Sequence, residues 1–130
     1  MRSKDLNYRT RFEKGLIAKP FNAPITNESR TSKKNIKGTL GMALNTNKAS
    51  AASQFYINLA DNPDLDYSSG SVRGYTVFAE VIDGMTVIEK MSKVKTRQIS
   101  YHSKLYNRTI TFHDYPEEEI VINRIKKLTQ

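Results

Sequence analysis

Three short apolar runs, residues 39–43, 54–59 and 75–82, separated by loops, constrain this chain more than any other feature. Each is rich in β-branched or aromatic residues, and clusters of Gly, Asn, Asp, Pro or Ser bound each one. That pattern predicts strands joined by loops. Strands this apolar need cover on at least one face, so the stretch is read as core, with Phe55 and Phe78 as plain core residues. Gln54 stands out among these apolar neighbours. A polar side chain there needs a hydrogen-bond partner if buried, or a ligand if it lines a cleft.

The rest of the chain is less regular. At 130 residues it is expected to form one domain with a single core. It contains no Cys, which removes disulfides and thiolate metal sites. No run of about 18 apolar residues is present, which argues against a transmembrane helix. The first fifteen residues lack the apolar stretch of a signal peptide, so the expected location is cytoplasmic, and the sequons at Asn27 and Asn107 are read as coincidental. The net charge of +8 is scattered, with no aromatic interleaving, and is read as solvated surface rather than a nucleic-acid face.

Residues 1–21 are basic and poorly periodic, and fit a strand, an extended arm or disorder alike. Residues 22–32, with Pro24 and several Asn and Ser, read as irregular loop. Asp83 is placed as the N-cap of a short helix over 84–91, in which Met85, Ile88 and Met91 would face the core. Residues 92–113 read as a polar excursion with a hairpin near 109–112, Pro116 as a break, and 119–128 as a final strand. His102 and His113 have no carboxylate or Cys set around them, so no metal is expected. Neither a nucleophile elbow nor a glycine-rich phosphate loop is present, and no cofactor is implied.

Four blocks then point to a family. Gly38-Thr-Leu-Gly-Met-Ala43, Ser53-Gln-Phe-Tyr-Ile-Asn58, Gly74-Tyr-Thr-Val-Phe78 and Val81-Ile-Asp-Gly-Met85 resemble, in order and spacing, the cyclophilin-type peptidyl-prolyl cis-trans isomerases, and their bacterial branch in particular. The resemblance is good from about Phe12 to Met91 and loose beyond. It implies a mainly β fold, a cyclophilin-like antiparallel barrel that is partial because the chain matches the C-terminal two-thirds of the family domain, with one short helix.

Rotation about a peptide bond before proline crosses a barrier of ~18–20 kcal/mol and takes roughly tens to hundreds of seconds unaided. Its catalyst must bind the twisted amide better than either planar form. An apolar pocket for the proline ring, an edge for the peptide backbone, and a donor to the proline nitrogen would suffice. By resemblance, Gln54 and Tyr56 are the catalytic-site residues, with Tyr56, Leu65 and Tyr75 in the ring pocket. Gln54 would hydrogen-bond the substrate backbone, and Ala43 and Leu44 would offer their own backbone to it. The partners implied are proline-containing peptides or unfolded proteins.

The third feature has no match. Relatives carry a Phe-His-Arg block whose Arg is the donor, and residues 1–11 show no counterpart. The expectation is weakened activity, with a non-catalytic proline-peptide binder or inactive remnant as the alternative, and self-association through an open barrel edge. Asp64 stands where relatives have an aromatic residue at the pocket rim, which implies weak binding of cyclosporin, the family's cyclic-peptide inhibitor.

Overall fold

The computed structural model describes residues 6–8, 12–13, 17–18, 23–44, 51–69, 74–103 and 107–128, with 6–8, 12–13, 17–18 and 103 by backbone alone. The sequence reads as one domain; the chain divides into two compact units, Met1–Ser92 and Lys93–Gln130.

The first unit is built on a four-stranded antiparallel sheet. Its strands are β1 (Leu6–Tyr8), β4 (Thr39–Met42), β5 (Phe55–Ile57) and β6 (Val77–Glu80), in the order β1-β5-β4-β6. Strands β2 (Phe12–Glu13) and β3 (Ile17–Ala18) pair with each other. The three apolar runs thus become β4, β5 and β6, each shorter than its run. Across the sheet Gly41 stands between Tyr56 and Val77, and Leu40 between Ile57 and Ala79. A bulge between Leu40 and Gly41 shifts the register on β6.

The pleat decides what is covered. Thr39, Gly41, Tyr56, Asn58 and Val77 are buried on one face and Ile57 on the other, whereas Leu40, Met42 and Phe55 are half-buried. Phe78 is a correction: it is 53 % exposed rather than core. Successive side chains on a strand point to opposite faces, so with Val77 turned inward Phe78 is turned out. Its ring meets Phe55 edge-on, with centroids 6.4 Å apart.

Helix α1 (Met85–Met91) lies where expected, but its cap differs. Gly84 is the N-cap, at φ +89, a conformation open to glycine at little cost. The Asp83 carboxylate accepts the Gly84 N–H at 2.8 Å and makes no cap bond into the helix. Met85, Ile88 and Met91 are half-buried while Thr86, Val87 and Lys90 are exposed, as the three-residue spacing predicts.

The second unit is a hairpin of β7 (Thr96–Ser103) and β8 (Arg108–Pro116), much longer than the one expected near 109–112. Ile99 faces Phe112 and Tyr101 faces Ile110. Phe112 is its buried residue, stacked on Tyr101 at 5.8 Å and tilted against Tyr115 at 6.5 Å. The opposite face is polar: Ser100 bonds Thr111 at 2.8 Å and His113 meets Gln98 at 3.0 Å. The strand expected over 119–128 does not form, and Val121, Ile125 and Leu128 are exposed. The β-branched content suits a strand, but none of the described strands pairs with this segment. Among the described residues no helix is long and apolar enough to cross a membrane.

Candidate functional site

Loop connections bring together the residues singled out in the sequence. The Ala43 N–H donates to the Gln54 carbonyl at 2.9 Å, which extends the β4–β5 ladder by one rung and sets Ala43 beside Gln54. Leu44 follows directly and, like Ala43 and Gln54, is half-buried. Leu65 ends a single 3₁₀ turn, Pro63–Leu65, started by a proline whose fixed φ suits that position. Its carbonyl accepts the Tyr75 N–H at 2.8 Å. The Tyr75 ring meets the Tyr56 ring edge to face, with centroids 5.8 Å apart and planes at 79°. Leu65, Tyr75 and Tyr56 therefore form a chain of neighbours, while Asp64 beside them is exposed.

Tyr56 is the buried member, only 4 % exposed. Its ring lies over Gly41, where a Cβ would collide with the ring carbons and the hydroxyl oxygen. Its hydroxyl donates to Asn35 Oδ1 at 2.6 Å. A second close approach holds the other wall: a Cβ on Gly74 would meet the backbone of Asp66 and Tyr67. The Gly74 carbonyl accepts from Asn27 Nδ2 at 3.0 Å, and the Asn27 Oδ1 accepts the Ser29 N–H at 2.9 Å.

Tyr56, Leu65 and Tyr75 border a polar network that sequence reasoning missed. Asn35 and Asn58 are the largest fully buried side chains. Asn35 donates from its backbone N–H and from Nδ2 to Asp66 Oδ1, at 2.8 and 3.0 Å, and from Nδ2 to the Tyr75 carbonyl at 3.3 Å. Asn58 Nδ2 donates to Thr39 Oγ1 at 2.8 Å and to Asn35 Oδ1 at 3.3 Å. Among the described residues no buried side-chain nitrogen or oxygen lacks a partner, as buried polar groups require. One signal was available. A tyrosine in an apolar run carries a hydroxyl that needs a partner when buried, and Asn is a suitable one.

Asp66 is the charged member, with its side chain 15 % exposed. Burial pushes its carboxyl up, but the backbone and side-chain hydrogen bonds from Asn35, then the Lys34 ammonium at 3.6 Å, outweigh that and hold it below its ordinary value. No cluster of three His, Cys, Asp or Glu suited to a metal ion occurs among the described residues.

The described residues place a strand end shared by Ala43 and Gln54 on the sheet that carries Tyr56, whose ring meets Tyr75. The pattern that describes the cyclophilin type peptidyl-prolyl cis-trans isomerase/CLD family matches residues 2–127, and the chain belongs to that family. It is 39 % identical over 116 residues to peptidyl-prolyl cis-trans isomerase B of Escherichia coli (strain K12), covering 88 % of this chain and 65 % of that protein. It is 43 % identical over 94 residues to a peptidyl-prolyl cis-trans isomerase of Acinetobacter baylyi, covering 72 % of this chain and 50 % of that protein. Peptidyl-prolyl cis-trans isomerase A of Dickeya dadantii is 37 % identical over 99 residues, covering 76 % of this chain and 52 % of that protein. The chain thus spans between about half and 65 % of the length of these relatives. The mainly β fold with one helix among the described residues, its sheets not closed, fits a partial barrel of this family.

Proposed function

We propose that this chain acts on X-Pro bonds in peptides and folding proteins as a cyclophilin-type isomerase. The observation that carries the reading is the gathering of Tyr56, Tyr75 and Leu65 next to a strand end shared by Ala43 and Gln54, in a chain of this family. Leu65 and the Tyr75 ring, both half-buried, offer carbon surface to a pyrrolidine ring, with the buried Tyr56 ring packed against Tyr75. Gln54 and the backbone of Ala43 and Leu44 offer hydrogen bonds to the flanking peptide. Rotation needs no nucleophile, metal or cofactor, because no bond other than the amide's partial double bond is broken. Rate comes from binding the twisted amide more tightly than the planar forms.

Residues 1–11 show no match to the family's Phe-His-Arg block, whose Arg is the donor to the proline nitrogen. Loss of one well-placed donor typically costs ~10²–10³ in rate. The 130 residues by themselves are therefore expected to bind proline peptides better than they turn them over. A non-catalytic proline-peptide binder is the second reading, supported by the unmatched donor block. Among the described residues, the outer strand β1 offers an edge for self-association, while the outer side of β6 is bridged by Lys33 at Val77.

A protease-coupled assay on an Ala-Ala-Pro-Phe tetrapeptide, paired with calorimetric titration of the same peptide, tests this. Tyr56→Ala should lower binding and any turnover, and Lys126→Ala, on the exposed tail, should change neither. Binding without turnover supports the second reading. Equal losses in both variants, each still folded, overturn the site.

A further inference from the structure

We propose that Asn35 is the positioning residue of this site: one buried amide clamps the three separate segments that carry the ring pocket. The inference rests on the isomerase-family reading of Tyr56, Leu65 and Tyr75, and adds a residue that no pocket position supplies.

The three pocket residues lie on three pieces of chain: strand β5, the 3₁₀ turn, and the loop leading into β6. The Tyr75-to-Leu65 backbone bond ties two of them; the end of β5 is tied to the start of the turn where Asn62 Nδ2 donates to Asn58 Oδ1 at 2.8 Å, and its Tyr56 ring meets the Tyr75 ring. Asn35 reaches all three. Its Oδ1 accepts the Tyr56 hydroxyl, its Nδ2 donates to the Tyr75 carbonyl, and its Nδ2 and backbone N–H converge on the carboxylate of Asp66, next to Leu65. The Asn35 carbonyl also accepts the Asn62 N–H at 2.8 Å, at the residue preceding the 3₁₀ turn. Asn35 is 1 % exposed, so it is shielded from water that would compete for these bonds.

The consequence for the site is chemical as well as mechanical. A tyrosine hydroxyl left free in an apolar pocket would be a polar group without a partner when a proline ring displaced water. With its hydrogen bond directed to Asn35, Tyr56 keeps its hydroxyl pointed away from a ligand and serves the pocket as a phenylalanine would. The same bond holds the ring edge-on to Tyr75, so the pocket shape is set before a peptide arrives. Preorganisation of this kind raises affinity by removing an ordering cost from the binding step.

The test uses the 130-residue chain and two readouts. One is the calorimetric affinity for the Ala-Ala-Pro-Phe tetrapeptide. The other needs no ligand: nuclear Overhauser cross-peaks between the Tyr56 and Tyr75 rings. Asn35→Leu, of similar size and without polar atoms, should lose the cross-peaks and about tenfold in affinity, the scale expected for a pocket group left unpaired. Tyr56→Phe, which deletes the hydroxyl alone, should lose a smaller factor, and it serves as the test if Asn35→Leu proves too unstable to fold. The double variant Asn35→Leu/Tyr56→Phe should fall no further than Asn35→Leu, because both changes remove the same bond. Retained cross-peaks and affinity in Asn35→Leu overturn the clamp, as do additive losses in the double variant or an unchanged Tyr56→Phe. A wild-type chain that binds no proline peptide overturns the isomerase reading; the ring cross-peaks then decide the clamp alone.

Discussion

Gly41→Ala is the substitution whose cost the structure defines most closely. The glycine has ordinary backbone geometry, so an alanine would fit the chain itself and would even cut the freedom of the unfolded state, a gain of ~0.4–1 kcal/mol. The obstacle is the ring above it. The added Cβ would fall on Tyr56 Cζ and Oη and within 2.8 Å of Cε1, so the ring has to move. Overpacking of this sort costs ~1–3 kcal/mol. A moved ring also loses its 2.6 Å bond to Asn35, worth ~1 kcal/mol, and its contact with Tyr75. The net destabilisation is about 2–3 kcal/mol, which lowers the midpoint of thermal unfolding by on the order of 10 °C. Gly38→Ala is the comparison. Nothing lies within 4 Å of its Cβ, but its φ of +86° costs ~1–2 kcal/mol for an alanine. The assay is urea and thermal unfolding followed by far-UV circular dichroism. In a Tyr56→Ala background the ring is gone, and Gly41→Ala should become neutral or stabilising. An equal cost in both backgrounds would refute the reasoning.

Three more outcomes are expected. The folded Asp66 carboxyl titrates below its ordinary value of 3.8, so its contribution to stability is complete above that pH and is lost as pH falls through the lower folded value. Urea midpoints measured from pH 5 downward should show a fall below about 4 that is smaller in Asp66→Asn. Phe112→Ala removes the buried ring of the hairpin and should cost about 3 kcal/mol, read as faster amide exchange in β7 and β8. The family resemblance assigns the exposed Asp64 to the pocket rim; on that assignment calorimetry should show Asp64→Phe binding cyclosporin more tightly than the wild type, and equal affinity removes Asp64 from the rim.

How much of this was legible in the sequence depended on the range of the interaction. β4, β5 and β6 and helix α1 were visible because strand and helix signals are local: apolar runs, punctuating glycines and a three-residue repeat. Phe78 was misread because a continuous apolar run hides the pleat, and only the register with Gly41 shows that Val77 takes the inner place. The segment 119–128 has strand composition, yet a strand exists only with a partner, which composition cannot supply. The pocket residues came from the family resemblance. The network of Asn35, Asn58 and Asp66 did not, because Asn and Asp in a loop read as turn formers. Most of their partners lie 19 to 40 residues away, beyond any periodicity, although Asn62 bonds Asn58 from four residues on.

The strand order β1-β5-β4-β6 carries a consequence for how the chain folds. In register, Leu6 meets Ile57 and Thr39 meets Glu80, so those two ladders close long loops, whereas β4 meets β5 from Met42 to Phe55 across a shorter one. Closing loops first costs entropy that the contacts return only later, and topologies of this kind fold slowly. The β7–β8 hairpin turns between Ser103 and Arg108, a short closure of the sort completed in ~1–10 μs. The ribosome makes the sheet's strands first and the hairpin last. At ~5–20 residues per second, roughly 2–7 s separate the end of β6 from the end of β8, so the sheet has time to assemble before the hairpin exists.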